Sequence, residues 1–143
     1  MKTSPLLTAI NLMAAALFAV FAWLQRNDID PAIYDHPSMI DAALWLIFYL
    51  FISVLFVVIL FRRIPRWLLM IGIIACFIEM GRTGPGLYEN VFGEKSFTMT
   101  QMSMSAEDPR VELTREFFGA MIALAGVGGL FLQERRRSIK MTG

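Results

Sequence analysis

Residues Ala42–Phe61 read AALWLIFYLFISVLFVVILF, twenty positions without a single charge. A helix rises 1.5 Å per residue and a bilayer core is about 30 Å thick, so roughly 20 apolar residues cross it. A soluble helix of that length carries a polar stripe; this run has none. Leu6–Leu24 is a second uncharged run of the same kind. Its apolar stretch is longer than the roughly 7–15 residues of a signal peptide, and Ala14-Ala15-Ala16 lies inside the run instead of after it, so it reads as a retained first helix.

Two weaker runs follow. In Ile64–Met80 the uncharged part is only Trp67–Ile78, but Arg66 and Glu79 sit near its ends, where long side chains reach the interface. Pro65 suits a helix start. Phe117–Leu132 spans when Leu113 and Thr114 are added, and it is followed by Glu134 and Arg135-Arg136-Arg137. Backbone polar groups in hydrocarbon must be paired internally, and the apolar residues come in blocks and do not alternate, so the runs are helices and not barrel strands. The expected fold is an all-α, integral membrane four-helix bundle in one domain. Its helices cover 6–24, 42–61, 64–81 and 113–132, with loops over 25–41 and 82–112.

Composition agrees. The 143 residues are 57 % hydrophobic and 17 % charged, against roughly 45–50 % and about 25 % in soluble domains. One cysteine excludes a disulfide scaffold. A net charge of +1 gives no field toward nucleic acid, and three arginines beside a membrane read as an orientation signal and anionic-lipid anchor. Lys2, Arg62, Arg63, Arg66, Arg135, Arg136, Arg137 and Lys140 share one side with one acid, Glu134; the other side holds five bases and eleven acids. The positive-inside rule puts both termini in the cytoplasm of a cell inner membrane. The short 62–66 link predicts that the second and third helices form a tight antiparallel hairpin. Gly81, Gly84, Pro85 and Gly86 predict a turn-rich exit from the third helix. Ser105 and Asp108 predict a capping box at the start of a short helix leading into the fourth.

The stretches Asn11-Leu12-Met13-Ala14-Ala15, Gln25-Arg26-Asn27-Asp28-Ile29-Asp30-Pro31 and Arg115-Glu116-Phe117-Phe118-Gly119 resemble the transmembrane protein 220 family. In that family an Asn lies in the first helix, a Q-x-N-D-x-D motif at its outer end, and a charged R-E pair with a Gly at the start of the last helix. The resemblance implies the four-helix membrane layout and brings no activity with it.

The polar residues that stand out gather where the helices leave the non-cytoplasmic leaflet. Asn27, Asp28 and Asp30 offer hard oxygen ligands for a divalent ion, and equally the Asx turn chemistry that closes a helix. Glu79, Arg82, Arg115 and Glu116 lie nearby, with Arg82 or Arg115 the expected partner of Glu79. Two readings stand: a ring of ion pairs fixing helix order, or a pocket for a ligand, lipid head-group or ion. Met99, Met102 and Met104 have a spacing compatible with Cu(I), or form an apolar contact area.

No cofactor is expected. A lone histidine, His36, cannot hold a haem from both faces, and no phosphate-cradling glycine loop or zinc spacing occurs. His36, Ser38 and Asp41 make no convincing nucleophile–base set, so the chain reads as a non-enzyme. Cys76, in an apolar run, reads as a small buried hydrophobe. Asn11, Ala15 and Ala19 on the first helix, and Gly119, Ala123 and Gly126 on the fourth, have the small-residue spacing that lets helices approach in lipid, with Asn11 pointing inward. The second helix has only bulk, which suits lipid or a partner subunit. The leading expectation is therefore an accessory or scaffold subunit of a larger membrane complex or homo-oligomer; the alternative is ligand binding at the acidic patch. A transporter ranks third, because paired interrupted helices are missing.

Overall fold

The computed structural model describes residues 4–26, 28–30, 38–95 and 108–142. These form α1 (Pro5–Gln25), α2 (Met39–Phe61), α3 (Arg66–Phe92) and α4 (Arg110–Thr142), with no strand among the described residues. All four are long and apolar enough to cross a membrane, and the fold is an all-α membrane bundle.

Local chemistry sets the helix starts. Ser4 caps α1, its Oγ accepting from Leu7 N–H, with Pro5 in the first position. Ser38 caps α2 by accepting from the Ile40 and Asp41 N–H groups. Such a cap contributes about 1 kcal/mol. Pro65 precedes α3 with no side-chain cap.

The helices pack chiefly as two pairs, α1 with α2 and α3 with α4, joined where α2 meets α4. The expected tight hairpin of α2 and α3 is not a principal packing pair, although only Arg62–Pro65 separates them. A short link limits how far two helix ends can separate, but side chains choose which faces meet. Here Gly72 of α3 receives Val127 of α4.

Bulk on α2 fills the centre, contrary to the lipid-facing expectation. Trp45, Tyr49 and Phe56 are buried, and Phe48 and Phe51 half-buried. Phe18 of α1 stacks on Phe56 with centroids 5.8 Å apart and on Tyr49 at 6.3 Å. Gly126 makes room for Phe18 and Phe56, and Gly119 for the Tyr49 hydroxyl. The small residues of α4 thus accept rings, and their neighbour Ala123 is fully buried. Ala15 is also buried, whereas Ala19 is exposed. Cys76 is buried in the core.

Asn11 is fully buried and exchanges two 3.1 Å hydrogen bonds with Gln133 of α4. Ser53 donates to the Ala15 carbonyl at 2.8 Å. Interhelical bonds of this kind contribute about 0.6–2 kcal/mol in lipid. Around this core the middle stretches of the helices expose large apolar residues, among them Met13, Leu44, Ile47, Ile74 and Phe77. That surface suits hydrocarbon and would aggregate in water.

The largest departure from expectation is α3, which runs on through Gly81, Gly84, Pro85 and Gly86 to Phe92. At 1.5 Å per residue its last turns extend past a bilayer core. They continue because α4 lies against them. Gly86 sits against Leu113, and Asn90 donates to Thr114 Oγ1 at 3.2 Å in a buried site. The expected short helix leading into α4 falls chiefly on residues outside the described ones. Ser105 of the expected capping box is among the residues not described; Asp108 accepts from Arg110 Nε at 2.8 Å and pairs with Lys95 Nζ at 3.5 Å.

Partial burial raises the Asp108 carboxyl, but the Arg110 hydrogen bond and charge, with Lys95, outweigh it and hold the group below its usual range. These pairs are complete above about pH 4, the ordinary aspartate value, and weaken as pH falls through the lower folded value. Thermal unfolding followed by circular dichroism should lose stability across that acid window. Asp108→Asn should flatten this part of the profile, and an unchanged profile would contradict the linkage.

Candidate functional site

The described charged groups sort to two ends of the bundle. At the end opposite the termini, Arg82 of α3 draws three helices together. Its Nε donates to Glu79 Oε2 at 2.9 Å, and its Nη2 lies 3.3 Å from Glu116 Oε2 on α4 and 3.5 Å from Asp41 Oδ1 on α2. The guanidinium also lies 5.7 Å from the Trp45 ring centroid, a cation–π distance.

Beside this hub is a cavity of about 460 Å³, within the usual range of roughly 300–1,000 Å³ for ligand pockets. Four carboxylate residues line it: Asp28 from the end of α1, Asp41 from α2, and Glu112 and Glu116 from α4. Arg82 is the one lining cation among the described residues. Ile40, Leu44, Trp45 and Leu113 supply apolar wall, and Gln25, Ser38 and Pro109 the rim. Trp45 is 3 % exposed, and its buried indole N–H has no acceptor among the described residues.

The helices place these groups by simple periodicity. Asp41 and Trp45 are one turn apart on α2, as are Glu112 and Glu116 on α4 and Glu79 and Arg82 on α3. Of the residues singled out by sequence, Asp28 and Glu116 line the cavity and Glu79 reaches it through Arg82. Asp30 is exposed and Arg115 half-buried, and neither lines it. Asn27 lies outside the described residues, as do His36, Met99, Met102 and Met104. Sequence reading overlooked Asp41, Glu112 and Trp45 as site residues. Their signal was the i, i+4 spacing of acid to acid or acid to tryptophan just inside two helix starts.

No group of three or more His, Cys, Asp or Glu side chains among the described residues is arranged to hold a metal ion. Four carboxylates spread around one guanidinium instead make a negative, partly apolar chamber.

At the terminus end, buried Glu134 pairs with Arg63 at 3.7 Å and Arg137 at 3.4 Å, and Arg137 donates to the Ile59 carbonyl at 2.8 Å. This ties α2 to α4 and leaves Glu134 compensated.

Fold and site together define a multi-pass α-helical membrane protein with an acidic cavity between the ends of its helices. Comparison with protein families places it further: the model of "Transmembrane family 220, helix" matches residues 17–132. The chain belongs to that family. The match includes the Gln25–Pro31 and Arg115–Gly119 stretches and begins after Asn11. No curated protein and no solved structure matches the chain.

Proposed function

We propose that this membrane protein binds a small organic cation, an amine or quaternary ammonium, in the cavity lined by Asp28, Asp41, Glu112 and Glu116. The observation that carries this reading is that, among the described residues, four carboxylates and one guanidinium line a chamber of about 460 Å³. Low-dielectric walls strengthen attraction between such a cation and the carboxylates. The unpaired Trp45 N–H adds a donor for an oxygen carried beside the ammonium. Lys and Arg asymmetry supports cytoplasmic termini in an inner membrane, so the cavity opens on the far side and draws its ligand from there. The protein acts as a binder and not as an enzyme.

The test is a thermal-shift titration of the detergent-solubilised protein with choline and with ethanolamine, against sodium chloride at equal ionic strength. Both organic cations should raise the unfolding temperature beyond the salt control. The Asp28→Asn, Glu112→Gln double variant should weaken the response by about tenfold or more in concentration, as expected for two partly solvated carboxylates. A response no greater than that to salt, or one unaltered in the variant, would reject the proposal. A shift seen only with phosphatidylethanolamine micelles would assign the ammonium to a lipid head-group.

The accessory-subunit reading draws its support from the remaining exposed face of α2, Leu44, Ile47, Leu50, Val54 and Val57. Since the aromatic bulk of α2 lies inside, that face is ordinary lipid-facing surface in composition. A stoichiometric partner recovered by mild-detergent purification, and lost on placing charges along this face, would favour it over ligand binding.

A further inference from the structure

A second, smaller cavity lies at the opposite end, between the start of α3 and the last third of α4. It has about 240 Å³ and is lined by Arg66, Leu69, Phe131, Glu134 and Arg135. Its charges are unequal in their commitments. Glu134 already faces Arg63 and Arg137. Arg66 and Arg135 have no carboxylate or carbonyl partner among the described residues, although both line the same cavity. Counting the two arginines paired to Glu134, four guanidiniums stand against one carboxylate. Leu69 is fully buried and Phe131 half-buried, so the inner wall is apolar. Exposed Trp67, Met70 and Ile74 continue the surface of α3 away from Arg66.

We infer that this cavity is a binding site for the phosphodiester of an anionic phospholipid in the leaflet next to the termini. Arg66 and Arg135 hold the phosphate between them, each able to present a fork of N–H donors. The acyl chains follow the exposed apolar face of α3, and Trp67 sits at head-group level as interfacial tryptophans do. The Arg66 and Trp67 N–H groups that open α3 have no intrahelical acceptor, Leu68 N–H being bonded to the Pro65 carbonyl at 3.0 Å, and Pro65 supplies no side-chain cap. They add donors of the same preference. A free phosphate satisfies the arginines but leaves the apolar wall and the face of α3 uncommitted. A membrane lipid satisfies both, so the lipid is the occupant. This site is independent of the cation cavity at the other end.

The experiment uses the full chain in nanodiscs of phosphatidylcholine, with and without phosphatidylglycerol, read by thermal unfolding and by lipid retention in native mass spectrometry. Phosphatidylglycerol should raise the unfolding temperature and remain bound. Each basic residue near an anionic surface contributes about fivefold in affinity, so Arg66→Gln with Arg135→Gln should weaken retention about thirtyfold. Arg62→Gln with Arg136→Gln removes the same charge from exposed positions outside the cavity and should keep most of the binding. Equal loss in the two double variants would overturn the site in favour of diffuse surface charge. Absence of any phosphatidylglycerol effect would overturn it as well. So would full reproduction of the shift by inorganic phosphate added to phosphatidylcholine discs. The single Arg135→Gln variant, at an exposed position, carries the same comparison should the pair lower folding in phosphatidylcholine alone.

Discussion

Arg82→Gln should lower the unfolding free energy by about 2 kcal/mol. The figure lies between two limits. Removing one partner of a buried pair costs about 3–5 kcal/mol, and an exposed pair contributes about 0–1 kcal/mol. The Arg82 side chain is 42 % exposed, while its partners Glu79 and Glu116 are 23 % and 18 % exposed, so screening is partial. The loss falls on three helices at once, because Asp41, Glu79 and Glu116 are left facing each other. Adding Glu116→Gln to Arg82→Gln should therefore recover part of the stability, which denaturation of all four members of the cycle measures. A single variant with wild-type stability would refute the hub. The same substitution removes the one lining cation among the described residues, so affinity for an organic cation should rise even as the fold weakens. Few lesions separate binding from stability in this way.

Gly86→Val should be more damaging to the α3–α4 pair, at about 3 kcal/mol or above, the upper end for overpacking. A Cβ at Gly86 runs into the Cβ of Leu113, which no rotamer change moves. Leu113→Ala should accordingly fail to rescue it. Gly81→Ala is the control: nothing lies within 4 Å of its Cβ position, and alanine in a helix is favoured by about 0.5–1 kcal/mol. Unfolding of the three variants in one detergent should give opposite signs for Gly81→Ala and Gly86→Val. Equal tolerance of both would mean that the helices do not approach at Gly86.

The contrast between those two glycines explains what sequence reading could and could not reach. Gly81, Gly84, Pro85 and Gly86 carry a local signal for a turn, and α3 ignores it because Leu113 and Thr114 of a distant helix lie against Gly86 and Asn90. Asn11 was legible as inward-facing, since an amide in lipid must find a partner, but Gln133 as that partner was not. The acids at the ends of α1, α3 and α4 were visible as a patch. That Arg82 gathers Asp41, Glu79 and Glu116, and that Arg115 does not line the cavity, depended on helix rotation. Trp45 and Tyr49 show the same limit: their bulk reads toward lipid or a partner subunit, and both lie buried in the core.

The number of crossings and the expected sidedness follow from sums along the chain: runs of apolar residues long enough for a bilayer, and lysines and arginines collected on alternate connections. Both are properties of segments, and no neighbour is needed to evaluate them. Which faces meet, how far α3 continues, and where the two cavities open were decided only by tertiary packing. Hydrocarbon and protein interior are almost equally apolar, so hydropathy cannot tell a ring turned to lipid from one turned to α4. Shape made that choice, where Gly119 and Gly126 leave room for Tyr49 and Phe18.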